Sequence, residues 1–117
     1  MSENAYAPEQ LPAVIRRYLH TPRGRDGAAV VEELFTSDAT VVDERTDHVG
    51  TAAIRDWFAN AATEYTYTTT YRGQTAHTPQ LWTVVARLEG DFPGGEAELR
   101  YRFRLREDRI AELVIEP

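Results

Sequence analysis

The chain has 117 residues, 42% of them apolar and 10% aromatic, a content that suits one domain with a single buried core and argues against disorder. Its formal net charge of −6 opposes a polyanionic partner such as nucleic acid. The absence of cysteine removes disulfides and thiolate chemistry, and because all 13 basic residues are arginine, Schiff-base chemistry on a lysine is excluded.

No apolar run is long enough to cross a bilayer and no apolar stretch with a basic lead opens the chain, so a cytoplasmic setting without membrane contact is the expectation. Residues 1–8 are polar, carry Pro8 and read as a flexible arm on a single domain spanning 1–117. Leu11, Val14, Ile15, Tyr18 and Leu19 then recur at helical spacing, with Pro12 tolerated in the first turn. The segment Pro22-Arg-Gly-Arg-Asp-Gly27 breaks this helix, and Asp26 is placed to cap a second one whose apolar face is Val30, Val31, Leu34 and Phe35.

Ala39 to Asp43 reads as a short β-branched strand and Asp43 to Val49 as a polar loop. After Gly50, with Thr51 as N-cap, Ile54, Trp57, Phe58 and Ala61 fall at i, i+3, i+4 and i+7 and predict a third helix. From there the period changes to two. Strands are predicted at roughly 66–77, 80–90, 95–106 and 109–116, separated by His77-Thr-Pro79, Gly90 to Gly95 and Glu107-Asp108, which makes an antiparallel meander. In the third of these, Ala97, Leu99, Tyr101, Phe103 and Leu105 alternate with Glu96, Glu98, Arg100, Arg102, Arg104 and Arg106, so one face is apolar and the other charged. Helices first and sheet last is an α+β layer architecture.

Val14-Ile-Arg-Arg-Tyr18, Phe35-Thr-Ser-Asp-Ala-Thr-Val-Val-Asp43, Gly50-Thr-Ala-Ala-Ile-Arg-Asp-Trp-Phe-Ala-Asn60 and Tyr101-Arg-Phe-Arg-Leu105 with Arg109-Ile-Ala-Glu-Leu113 together resemble the NTF2-like superfamily. Within it, the similarity is to the ketosteroid isomerase and SnoaL-like polyketide cyclase members. The resemblance implies a cone-shaped fold in which three N-terminal helices pack on a strongly curved, mostly antiparallel sheet. It also implies a pocket between the layers, a small apolar ligand, no cofactor, and a homodimer formed through the outer sheet face.

In the isomerases the residue matching Asp43 is the general base and the one matching Tyr18 donates a hydrogen bond to the enolate oxygen. There the second donor is a protonated aspartic acid. Here the corresponding position is Tyr101, a donor of different reach and acidity, and Phe58 stands where some isomerases carry a supporting tyrosine.

The candidate catalytic set is therefore Asp43, Tyr18, Tyr101 and His48. In a closed pocket burial would raise the pKa of an acid such as Asp43 and make it a base near neutrality, whereas in an open turn it is a solvated residue or a local cap. Tyr18 reads equally as a core tyrosine. His48 reads either as a second acid or base or as a solvated loop residue. Trp57, Phe58, Trp82, Val84, Ala86 and Phe103 are assigned to the ligand-binding wall, with plain core packing as their rival role. His20 and His77 lack metal-ligand spacing and no metal is expected.

Two alternatives stand beside an isomerase or cyclase. One is a non-catalytic ligand-binding or dimerisation module. The other is an epoxide hydrolase with Arg55 or Arg72 as its cation.

Overall fold

A computed structural model of the chain describes residues 4–60 and 67–117. The strand order is β1(Asn4–Ala5), β4(Tyr67–Thr78), β5(Leu81–Gly90), β6(Glu96–Arg106), β7(Arg109–Glu116), β2(Phe35–Asp43), β3(Thr46–Val49), all in one seven-stranded sheet. Every neighbouring pair is antiparallel except β2 and β7, which run parallel, with Val41 opposite Leu113 and Asp43 opposite Ile115. That pairing joins the first long strand to the last, so the meander and the helical segment share one core. The helices are α1(Ala13–His20), α2(Val31–Leu34) and α3(Thr51–Asn60). The molecule is thus an α+β fold with an antiparallel-rich, curved sheet.

The alternation read in the third meander strand holds: Tyr101 and Phe103 are buried, Ala97, Leu99 and Leu105 are half-buried, and the arginines between them are exposed. The core joins Ile15, Tyr18 and Leu19 of α1, Ile54 and Phe58 of α3, and Val84, Ala86, Phe103, Ile110 and Leu113 of the sheet. Fully burying each aliphatic or aromatic group contributes about 1.5–3 kcal/mol.

Several expectations are corrected. The second helix is a 3-10 turn, Gly27–Val30, followed by the single α-turn of α2, and Asp26 makes no side-chain capping bond. Phe35 belongs to β2, which begins there and not at Ala39. The presumed loop from Asp43 to Val49 is a hairpin. Glu44 and Arg45, at φ of 51° and 63°, form its two-residue turn, the left-handed pair that matches strand twist, so His48 lies on β3.

The N-terminal arm is partly tied down, because Asn4 and Ala5 pair with Gln74 and Gly73 on β4. The buried Gln74 side chain accepts from the Ala7 N–H at 2.9 Å and donates to its carbonyl at 3.0 Å. Residues 1–3 and Ala61 lie outside the described residues.

Candidate functional site

Three features place the site. The end of β2 carries Asp43 beside α3, whose Trp57 donates its indole N–H to Asp43 Oδ2 at 3.0 Å. The start of α3 is set by Gly50, at a φ of 87° that favours glycine; its N–H reaches the Ala39 carbonyl at 2.9 Å and its own carbonyl takes the Ile54 N–H. The loop after β5 brings Phe92 and Pro93 to the rim, where the Phe92 ring meets Tyr67 edge-on at 6.5 Å.

Together these line a half-open cavity of about 800 Å³. That is the size of a site for a drug-sized molecule. All four candidate catalytic residues, Asp43, Tyr18, Tyr101 and His48, line it. Of the expected wall residues only Trp57 does so, with its ring 6.0 Å from His48. Phe58, Val84, Ala86 and Phe103 are fully buried in the core and lie outside the lining. Trp82 is half-buried near the other end of β5, donating to the Pro79 carbonyl at 3.2 Å. The physical reason is curvature: residues that share one strand face do not share one cavity when the sheet bends, and Leu88, Ala97, Leu99 and Ile115 supply the apolar wall instead.

Tyr18 is wholly inaccessible to solvent. Its ring meets Phe35, Phe58 and Phe103 edge-on at 5.9, 6.1 and 5.5 Å, which fixes its position. Among the described residues its hydroxyl proton has no acceptor; only the Arg23 guanidinium stands near the oxygen, as a weak donor to it. Burial pushes this phenol up to about 12; the nearby Arg23 guanidinium opposes the rise, while Tyr71 and Asp43 add to it. Burial likewise drives Tyr101 well above its ordinary value, with Tyr18 adding to it and Arg23 again opposing. Both phenols are therefore neutral donors throughout the physiological range.

Sequence reasoning missed Arg23. It lies in the loop that ends α1, and its guanidinium carbon stands 4.2 Å from the Tyr18 ring centroid and 4.7 Å from that of Phe58. The loop is held by the Gly24 N–H donating to the Phe58 carbonyl at 3.2 Å. Gly27 packs so tightly that a Cβ there would sit 1.8 Å from the Pro22 carbonyl oxygen. A glycine-rich break after a helix is the only sequence signal for this residue, and such breaks are common.

Arg55 of α3 pairs with Glu32 and does not line the cavity, nor does Arg72. Among the described residues no group of three or more histidines and carboxylates is placed to hold a metal ion, and no helix is long and apolar enough to cross a membrane.

The fold and this site define a small α+β domain with an aromatic cavity carrying one strand-end acid and three phenols, Tyr18, Tyr67 and Tyr101. In comparisons with known proteins, no family model and no curated protein matches the sequence. Solved structures do. A candidate polyketide cyclase from Sinorhizobium meliloti is 31% identical, covering 95% of this chain and 100% of that one, with a TM-score of 0.84. A candidate SnoaL-like polyketide cyclase from Jannaschia sp. CCS1 is 16% identical over 88% of this chain and 81% of that one, with a TM-score of 0.72. A protein with a ketosteroid isomerase-like fold from Catenulispora acidiphila, in complex with trimethylamine, is 18% identical over 92% and 87%, also at 0.72. The last two share the fold; the first shares the family. The chain belongs to the NTF2-like superfamily, among its SnoaL-like polyketide cyclase and ketosteroid isomerase-like proteins.

Proposed function

We propose that this protein is a cofactor-free isomerase or cyclase that performs enolate chemistry on an apolar carbonyl compound of steroid-like or polyketide-like character, within a cone-shaped NTF2-like fold. The observation that carries this reading is the meeting of Asp43, Tyr18, Tyr101 and His48 on one cavity whose buried Tyr18 hydroxyl proton has no acceptor among the described residues. A buried hydroxyl left unpaired costs about 1–3 kcal/mol, and a substrate oxygen that reaches it by displacing the side chains that cover it recovers that cost.

In this reading Asp43 removes a proton next to the substrate carbonyl. The Trp57 indole holds Oδ2 and fixes the rotamer, which leaves Oδ1, without a partner among the described residues, to face the substrate. As charge builds on the carbonyl oxygen, Tyr18 donates to it with Tyr101 as the second donor. Both phenols are weak enough acids to give a hydrogen bond without surrendering the proton. His48 returns or relays the proton at the rim. The apolar wall limits water around the enolate.

The homodimer is proposed through the outer sheet face, where Arg102 and its exposed neighbours stand in alternation. The test of the function is turnover of a panel of cyclic β,γ-unsaturated ketones and polyketide-like β-ketones by wild type and Asp43→Asn. Product formed by the wild type and lost in the variant, with unchanged folding, supports the reading. Tight binding without product, indifferent to Asp43→Asn, assigns the protein to the non-catalytic binding modules.

A further inference from the structure

The cavity of the proposed enzyme contains a cation that the enolate mechanism does not require. Arg23 is half-buried on the wall that also bears Tyr18 and Tyr101. Among the described residues it forms no ion pair: the carboxylates Asp43, Glu44 and Asp56 line the same cavity, and none is within ion-pairing distance of it.

Arg23 donates from Nη1 to two backbone carbonyls, Thr21 at 2.8 Å and Tyr18 at 3.4 Å. They anchor the group at the C-terminal end of α1. A guanidinium has five N–H donors; beyond these two carbonyls the Tyr18 hydroxyl oxygen is close enough to take one more, and no carboxylate among the described residues takes any of the rest. One face of the group is taken up by aromatic rings, which hold it in place and leave its edge for recognition. Beside it is a second donor with nothing to donate to, the Tyr18 hydroxyl.

We infer that the cavity takes a ligand with an acidic head, a carboxylate or a comparably acidic enol or phenol oxygen, on an apolar body, and that Arg23 binds that head. This rests on the cavity being the ligand site proposed above and narrows its substrate class to acid-bearing carbonyl compounds. The cavity is then polar at two places. The Arg23 guanidinium attracts the head while the carboxylates of Asp43, Glu44 and Asp56 repel it, so the ligand enters in one orientation with its reactive carbon toward Asp43.

The test uses matched probes, 2-naphthoate and its neutral isostere 2-naphthamide, titrated into the whole protein while Trp57 fluorescence and the Arg23 Nε–H signal in ¹H–¹⁵N spectra are followed. The acid is expected to bind about tenfold to a hundredfold more tightly than the amide, the range of a charge-assisted hydrogen bond, and to shift the Arg23 Nε–H signal as the amide does not. In Arg23→Gln the preference is expected to vanish with amide affinity retained; Arg23→Lys keeps the charge without the fork and retains part of the preference. Arg104→Gln, on the exposed sheet face, leaves the preference intact.

Should Arg23→Gln fail to fold, the wild-type contrast and the Nε–H shift still decide. Equal binding of acid and amide, or a preference that survives in Arg23→Gln, overturns the acid-head proposal and leaves the enolate reading standing on its own Asp43→Asn test. Absence of saturable binding by either probe likewise overturns the acid-head proposal, and the enolate reading is again decided by turnover in wild type and Asp43→Asn.

Discussion

Replacing Tyr18 with phenylalanine separates folding from function, because the two respond with opposite sign. The hydroxyl is buried and its proton has no acceptor among the described residues, so the folded state carries its desolvation while the unfolded state hydrates it. Deleting one oxygen from a ring packed against three other rings leaves the shape intact and relieves about 1–2 kcal/mol. At 117 residues each kcal/mol moves the melting temperature by roughly 4 °C, so Tyr18→Phe is expected to melt about 4–8 °C above wild type. In the proposed mechanism the same change removes a donor to the developing oxyanion, and turnover should fall about 100-fold to 1000-fold. Calorimetric melting of the ligand-free protein and steady-state kinetics on one substrate measure the two halves. A variant that melts below wild type shows that the hydroxyl has a partner in the folded protein and refutes the argument; a variant with unchanged turnover removes Tyr18 from the mechanism.

Other outcomes follow from the same geometry. Stability should fall as pH rises from about 10 to 12: Tyr18 titrates near 10 when unfolded and near 12 when folded, so over that window the folded state holds the proton more tightly and alkali favours unfolding. The loss from Tyr18 is about 2–3 kcal/mol, Tyr101 adds in the same direction, and denaturation midpoints against pH, with phenolate absorbance as a second readout, should show a shallower decline in Tyr18→Phe. Gly27→Ala should destabilise the fold by about 2 kcal/mol, since its Cβ collides with the Pro22 carbonyl, and should weaken the Arg23-dependent acid preference by displacing the loop; chemical denaturation and the naphthoate titration check both. Glu107→Asn with Asp108→Gly should stabilise by about 1 kcal/mol, because these two residues occupy a left-handed hairpin turn at φ of 52° and 64° that Asn-Gly adopts with less strain; the urea midpoint should rise with binding unchanged.

Much of this was legible in the chain because it depends on local pattern. The alternation of β6 and the period of α3 are dictated by which side chains must leave water, and both elements formed within a few residues of their expected bounds. The motif around Asp43 likewise announced the acid, and its place beside α3 followed from the short path through Gly50. Two local expectations gave way to longer-range forces. The stretch from Asp26 to Phe35 was drawn out of one helix when Phe35 took its place opposite Ile110 on β7. The polar segment after Asp43 became a strand because its backbone found a partner in β2.

What periodicity could not express was convergence. Phe58, Val84, Ala86 and Phe103 carry the same apolar pattern as the cavity wall, yet they fill the core, because the curvature of the sheet decides which buried residues face an enclosed space and which face one another. Arg23 carried almost no signal at all: a single arginine in a turn becomes a cavity cation only because Gly27 lets the loop close onto α3 and lay the guanidinium on Phe58. Alternation and helical spacing report whether a side chain is buried, a property each segment holds alone; which atoms then meet across the fold depends on the path of the whole chain.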